Sequence, residues 1–199
     1  MRHYAIIILA AGASSRFGYP KQLVRYQNES LIRHALSVAT KTAHNIFVVI
    51  GANAALMEKE IEDFTAHKVL NKTWEEGMSS SIRCGLNEAL KENAKLDAVI
   101  VMLCDQPYVD AAVLKQLIAK HEETNKPIVA CAYKDTIGTP VLFYKKIYPA
   151  LLVLKGQSGA KKIIAENMDA TATIPFELGY IDIDTKEDYA SLQKNPFND

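Results

Sequence analysis

A chain of 199 residues with 49% hydrophobic content can bury a substantial core, and residues 1–199 are read as one domain. Lysine plus arginine and aspartate plus glutamate balance at 23 each, so no general basic field exists to hold nucleic acid or an anionic membrane. Cys84, Cys104 and Cys131 form no CxxC pair and leave an odd count, which predicts reduced thiols in a cytoplasmic protein.

The first predicted element is a strand in YAIIILA (4–10). Ala5 to Ala13 has the look of a signal-peptide core, with Arg2 before it, but it is short for that role and an organised pattern continues beyond it. No other apolar run approaches the ~18–20 residues needed to cross a bilayer, so a soluble chain is expected. Further strands follow in NIFVVIG (45–51), HKVLN (67–71), DAVIVMLC (97–104) and PIVACAY (127–133). Helical patterns come between them, near 30–43, 53–64, 79–92 and 110–123. Leu31, Ala35, Val38 and Ala39 share one helix face behind a Ser30 cap, and Leu114, Leu117 and Ile118 repeat the pattern after Asp110. Unbroken apolar runs such as IIIL and VIVML are expected where helices cover both faces of a mainly parallel sheet, which makes the fold class α/β. Past residue 137 the pattern loosens, with a strand predicted at 139–144, a helix from Ser158 to Asn167 and short strands at 172–176 and 180–183. Thr185-Lys-Glu-Asp188 reads as a capping box that opens a last helix through Leu192, and Asn195 to Asp199 are expected to fray.

In open α/β sheets ligands bind beyond the carboxyl ends of the strands, so the loop after the first strand is the first candidate. It reads LAAGASSRFGYPKQL (9–23). Gly12 and Gly18 permit close approach, the N–H groups of Ala11 to Ser15 can face phosphate oxygens, and Arg16 and Lys21 carry charge. The glycine spacing fits neither GxGxxG nor GxxxxGK[ST], and a plain surface turn is the competing reading. Asp105, in LCDQP directly after a buried strand, is placed to hold Mg²⁺ against phosphates or else to serve as a turn residue before Pro107. Of Asp182 and Asp184, on the short strand IDIDT, at most one is expected to face the site. Gly77 and Ser79 to Ser81 offer free N–H groups at a helix start, for a base or sugar or simply as a cap. The five histidines have no HxxxH or Cys-partnered spacing, so zinc is not expected, and with no GxSxG elbow and no base beside Cys104 covalent catalysis has no support. Trp74 is read as a packing or lid residue.

LAAGASSRFGYPKQL, NKTWEEGMSSSIRCGL, LCDQPYVD, GTPVLF, GQSGAKKII and IDIDTKEDY together resemble the MobA-like nucleotidyltransferases over residues 4–191, and within them the molybdenum cofactor cytidylyltransferase branch. The resemblance implies a GT-A-like Rossmannoid domain, a three-layer α/β/α sandwich. Such a domain transfers a nucleoside monophosphate from a triphosphate to a phosphorylated acceptor and releases pyrophosphate. It implies that Leu9, Ala10, Ala11, Gly12 and Ser14 contact the nucleotide and that Arg16 and Lys21 offset charge as pyrophosphate leaves. It also implies that Asp105 and Asp184 hold Mg²⁺ and that Gly77, Ser79 and Ser80 lie near the base or ribose. Relatives using CTP carry LAAG, as residues 9–12 do here, whereas those using GTP tend to carry LAGG. A methyl at Ala11 separates such ligands by only ~1–3 kcal/mol. The acceptor implied is molybdopterin, with a molybdoenzyme as a possible recipient of the product. Gln157 replaces the acidic residue of the family's GDxGAR, while Lys161 keeps the positive charge. A sugar or polyol phosphate acceptor and a non-catalytic accessory role are the alternatives, and residues 134–160 are a candidate lid.

Overall fold

The computed structural model describes residues 2–194, so the expected fraying of Asn195 to Asp199 lies outside the described residues. Its elements in chain order are β1 (Tyr4–Leu9), β2 (Arg25–Tyr26), β3 (Glu29–Ser30), α1 (Leu31–Thr40), β4 (Ile46–Ile50), α2 (Ala54–Glu60), β5 (His67–Leu70) and α3 (Met78–Glu92). There follow β6 (Ala98–Leu103), α4 (Ala111–Thr124), β7 (Ile128–Tyr133), β8 (Thr136–Tyr144), α5 (Tyr148–Leu152), α6 (Ala160–Glu166), β9 (Thr171–Pro175) and α7 (Lys186–Gln193).

Seven strands form one sheet in the order β5-β4-β1-β6-β8-β7-β9, and β8 alone runs against both of its neighbours. Side chains alternate across a strand. Ile6 and Ile8 therefore join Val48, Ile100 and Leu142 on one face, where α1, α2 and α4 cover them. Ile7 and Leu9 point the other way, with Val49, Val101 and Phe143, beneath α3, α5 and α6. The unbroken apolar runs are explained by this double cover. A smaller cluster of Phe17, Val24, Tyr26, Leu31, Ile183 and Leu192 fastens α7 and the loop after β1 to the β2–β3 hairpin.

The helix starts follow their capping signals. Ser30 Oγ accepts from Arg33 N, Asp110 caps α4 through Val113 N, and Thr185 with Asp188 completes the capping box of α7. Ends are less legible. α1 stops at Thr40 rather than 43, where an N–H of Thr42 turns back to Ala39 O, and α2 stops at Glu60, leaving the buried Ile61 to close its last turn. The strand expected at 139–144 begins at Thr136, because β7 and β8 form an antiparallel hairpin across Lys134 and Asp135. The segment expected as a strand at 180–183 is not one. A 3-10 turn occupies Glu177–Tyr180, and Ile183 N bonds Asp105 O without forming a ladder.

Gly85 lets α3 lie directly on the sheet. A Cβ there would stand 2.6 Å from Ile7 Cγ2 and 2.8 Å from Val49 Cγ2, both fixed on central strands. A Gly→Ala change in an open helix gains ~1 kcal/mol of propensity, whereas overpacking costs about 1–3 kcal/mol. Gly85→Ala is expected to lower stability on balance, read as a lower urea midpoint with an unchanged m-value.

Candidate functional site

β1 and β6 are neighbours in parallel register, with Leu9 opposite Leu103, and the chain leaves β1 towards β4 on one side while β6 flanks it on the other. Their carboxyl ends therefore form the crevice at which such sheets bind ligands. A cavity of about 460 Å³ opens there, lined by Leu9 to Arg16, Lys21, Gln22, Leu103 to Asp105 and Asp184, with Trp74, Gly77, Met78, Ser81 and Gln157 on the far wall.

The loop after β1 is held from beneath. Gln22, only 2% exposed, donates through Nε2 to Ala10 O at 3.0 Å and Gly12 O at 2.8 Å, and its Oε1 accepts from Ser14 Oγ at 3.1 Å. Ser14 sits at φ +56° and its Oγ also accepts from Lys21 N at 3.1 Å. Gly18, at φ +75°, is in the region that favours glycine. Among the described residues, no backbone hydrogen bond engages the N–H groups of Ala11 to Arg16. Gln22 falls within the PKQL end of the motif that carries the resemblance, but the sequence assigned it no role, since a polar residue after Pro-Lys reads as part of the turn.

Lys21 does not stand free at the cavity. Its Nζ lies 2.5 Å from Asp105 Oδ2 and 2.6 Å from Asp184 Oδ1, while Arg16 Nη2 meets Asp184 Oδ2 at 2.7 Å. Burial works to lower the Lys21 pKa, but the charge and hydrogen bond of Asp105 and the hydrogen bond of Asp184 outweigh it and hold the ammonium well above its ordinary value. Burial would raise Asp184, and Lys21 and Arg16 together bring it below its ordinary value. The placement of both carboxylates has visible causes. Gln106 Nε2 fastens the turn after β6 to Thr139 O and Gly179 O, Ile183 N bonds Asp105 O, and Asp184 N–H donates to the capping Asp188.

Of Asp182 and Asp184, only Asp184 lines the cavity, although residues two apart in extended chain share a face, so alternation is not what separates them. Asp182 is pushed above its ordinary value by partial burial and then by the charges of Asp105 and Asp184. Cys104 is a thiol, its pKa pushed up to about 12 by burial and then by the charge of Asp105.

On the opposite wall Gly77 has φ +103°, and a Cβ there would stand 2.8 Å from Gln157 Cδ and from Gly156 O. Gly77 is needed both for its conformation and for that approach. Ser79 and Ser80, expected near the base or ribose, do not line the cavity. Ser79 Oγ donates to Gly156 O at 2.7 Å and Ser80 Oγ to Gly77 O at 2.8 Å, so both hydroxyls tie α3 to its surroundings, and Ser81 lines the cavity instead. Most of the segment 134–160 is built into β8 and α5, with Leu151 and Leu154 buried. Its last turn is held to α3 by Ser79 and by Arg83, which donates to Leu154 O.

Removing Lys21 would leave two carboxylates facing each other in a partly buried seam. Breaking such a pair costs about 3–5 kcal/mol when fully buried, and solvent access here reduces that to about 1–3 kcal/mol. Because Asp184 is depressed, its share is present above the ordinary carboxylate value and lost as pH falls through the lowered one. Lys21→Met should therefore destabilise at pH 7, with the gap from the wild type narrowing as pH falls below the carboxylate range. Urea titrations at both pH values check this.

Compared with known proteins, residues 6–171 match the family model of the MobA-like NTP transferase domain. A curated relative from Bacillus cereus (strain AH187), named "Probable molybdenum cofactor guanylyltransferase", is 27% identical with 100% of each chain covered. The nicotine blue oxidoreductase of Paenarthrobacter nicotinovorans is 27% identical over 80% of each chain. The crystal structure of Rv0371c from Mycobacterium tuberculosis H37Rv superposes with a TM-score of 0.84 at 25% identity, covering 98% of this chain and 99% of that one. Its complex with manganese gives 0.79 at 24% identity and the same coverage. With a family model spanning most of the sheet and both sides of the cleft, the chain belongs to the MobA-like NTP transferases.

Proposed function

We propose that the chain transfers a nucleoside monophosphate from a nucleoside triphosphate to a phosphorylated acceptor of the molybdopterin type, with release of pyrophosphate. The observation that carries this reading is the opposition, across one crevice, of a loop rich in unengaged N–H groups and a pair of carboxylates held at the end of the neighbouring strands. Phosphate oxygens suit the first, and a divalent cation that also touches those oxygens suits the second.

Asp105 and Asp184 would hold that cation. Asp105 Oδ1 is buried with no protein partner, and no group of three or more His, Cys, Asp or Glu among the described residues forms a full protein cage. That is the donor set of Mg²⁺, which prefers one or two carboxylates completed by phosphate oxygens and water. When bound, the ion supplies charge neutralisation on the phosphates. The manganese complex of Rv0371c adds support for a divalent ion in this fold.

The chain's own residues then position and stabilise. The N–H groups of Ala11 to Ser15 and the exposed guanidinium of Arg16 receive the triphosphate, and Lys21 remains at the seam to offset charge on the departing pyrophosphate. An oxygen of the acceptor phosphate attacks the α-phosphorus, the bond from that phosphorus to the β-bridging oxygen breaks, and its electron pair leaves with pyrophosphate. A phosphate oxygen is already anionic at neutral pH, so no general base is needed. The absence of histidine from the cavity lining and the high pKa of Cys104 agree with that economy.

For the base, CTP is the reading we favour. The support is the LAAG pattern of residues 9–12, together with the place of Ala11 in the cavity lining, where one methyl separates such ligands by about 1–3 kcal/mol. GTP is the second reading, favoured by the guanylyltransferase names of the Bacillus relatives. Gln157, neutral and beside Gly77, is consistent with an anionic acceptor on that wall, and a molybdoenzyme is the natural recipient of the product.

The test is pyrophosphate release with Mg²⁺ and each of the four ribonucleoside triphosphates, with and without molybdopterin, and then with sugar and polyol phosphates. Pterin-dependent release is expected, highest with CTP. Release with GTP alone would transfer the assignment to the second reading, and binding without any turnover would leave an accessory role. Asp105→Ala is expected to keep its fold and lose at least a hundredfold in turnover, about 2.7 kcal/mol or more of barrier. Ala11→Gly is expected to raise the GTP rate relative to CTP by about 10-fold or more, within the range one methyl commands. Trp74, the sole tryptophan and part of the cavity wall, should report triphosphate binding through its fluorescence in every variant.

A further inference from the structure

We infer that Gln22 is a positioning residue for the triphosphate, an inference that rests on the nucleotidyl-transfer reading above. Its carboxamide is buried beneath the loop and makes three hydrogen bonds there: Nε2 to Ala10 O, Nε2 to Gly12 O, and Oε1 from Ser14 Oγ. Ser14 Oγ in turn accepts from Lys21 N, so the loop is closed on itself through one side chain.

The consequence follows from peptide geometry. In a planar trans peptide the C=O of one residue and the N–H of the next point in opposite directions. Turning Ala10 O and Gly12 O down onto Gln22 therefore turns the N–H groups of Ala11 and Ala13 up, away from it. Both residues line the cavity, and neither N–H has a backbone acceptor. The same ring of bonds holds Ser14 at φ +56°, where serine seldom sits, and from that bend Ser14 O accepts from both Phe17 N and Gly18 N. A donor array fixed before the ligand arrives loses less on binding than one that must be ordered by it.

The chemistry selects glutamine. One nitrogen must donate to two carbonyls while the oxygen beside it accepts from a hydroxyl, and only a carboxamide offers both. Glutamate has the same shape, but as a carboxylate it would set an acceptor against Ala10 O and Gly12 O. Methionine keeps the volume and removes the polar atoms.

Gln22→Glu and Gln22→Met are compared with the wild type by calorimetry, using Mg-pyrophosphate as the probe of the loop and CMP and GMP as probes of the base and ribose wall. Pyrophosphate affinity is expected to fall tenfold or more in both variants, with monophosphate affinities within twofold of the wild type. A general loss of structure would lower all of them together. Ser14→Ala, which removes the link between Gln22 and Lys21 but leaves both Nε2 bonds, should show a smaller loss of pyrophosphate affinity and serves if the Gln22 variants do not fold. Unchanged pyrophosphate binding in a folded Gln22 variant, or in Ser14→Ala if that alone folds, overturns the inference while a triphosphate-consuming wild type keeps the transfer reading. A wild-type chain that binds neither pyrophosphate nor any triphosphate overturns both.

Discussion

Lys21 lies where three stretches distant in sequence meet, and its ammonium, 2.5 Å from Asp105 and 2.6 Å from Asp184, joins the loop after β1 to the end of β6 and to the start of α7. Neither carboxylate would sit so near the other without it. Two unit charges of like sign 4 Å apart repel by about 4 kcal/mol at the effective dielectric near a protein surface. The crevice therefore has its geometry only while a cation stands between its acidic walls. Everything proposed for the site concerns which cation that is and what anion accompanies it.

The surrounding fold makes this seam rigid on one side and adaptable on the other. Asp105 is fixed by Gln106 and by the last residue of a strand buried on both faces, and Asp184 is fixed by the capping box of α7. Arg16, by contrast, leaves 71% of its side chain exposed and, among the described residues, pairs with Asp184 alone. A long exposed side chain gains little from such a pair. Arg16 can accordingly exchange a carboxylate for a phosphate at small cost, while the two aspartates keep their places.

How much of this was legible in the sequence depended on how local its causes are. Unbroken apolar runs announced the buried strands β1, β4 and β6, and the capping residues Ser30, Asp110 and Thr185 announced three helix starts, because those signals act within a few residues. The antiparallel insertion of β8 was not legible, since strand direction is decided by pairing across the sheet rather than by composition. The same holds for 180–183, where alternation suggested a strand but the segment pairs with none, its Ile183 N–H bonding Asp105 O beyond the end of β6. In the site, Asp105 and the glycine-rich loop could be singled out from their positions after strands. Ser79 and Ser80 could not be separated from Ser81, because a one-residue rotation around a helix start decides which hydroxyl meets the cavity and which meets Gly156 or Gly77. The role of Gln22 was not legible although the residue lies in the PKQL motif, because two of its three partners are backbone carbonyls, which every sequence possesses.

The two halves of the crevice thus differ in kind. The loop of 9–16 is organised by neutral hydrogen bonds through a buried amide, which change little with salt or pH, whereas the seam at Lys21 is organised by charge and changes with both. A triphosphate brought with a divalent cation presents the matching pair of features, an extended anion for the fixed donors and a dication for the exchangeable seam. In the proposed transfer, seating it would place a cation on carboxylates that Lys21 now neutralises and leave that ammonium beside the phosphates. Charge there would be balanced by groups already on site, with no rearrangement of the sheet required.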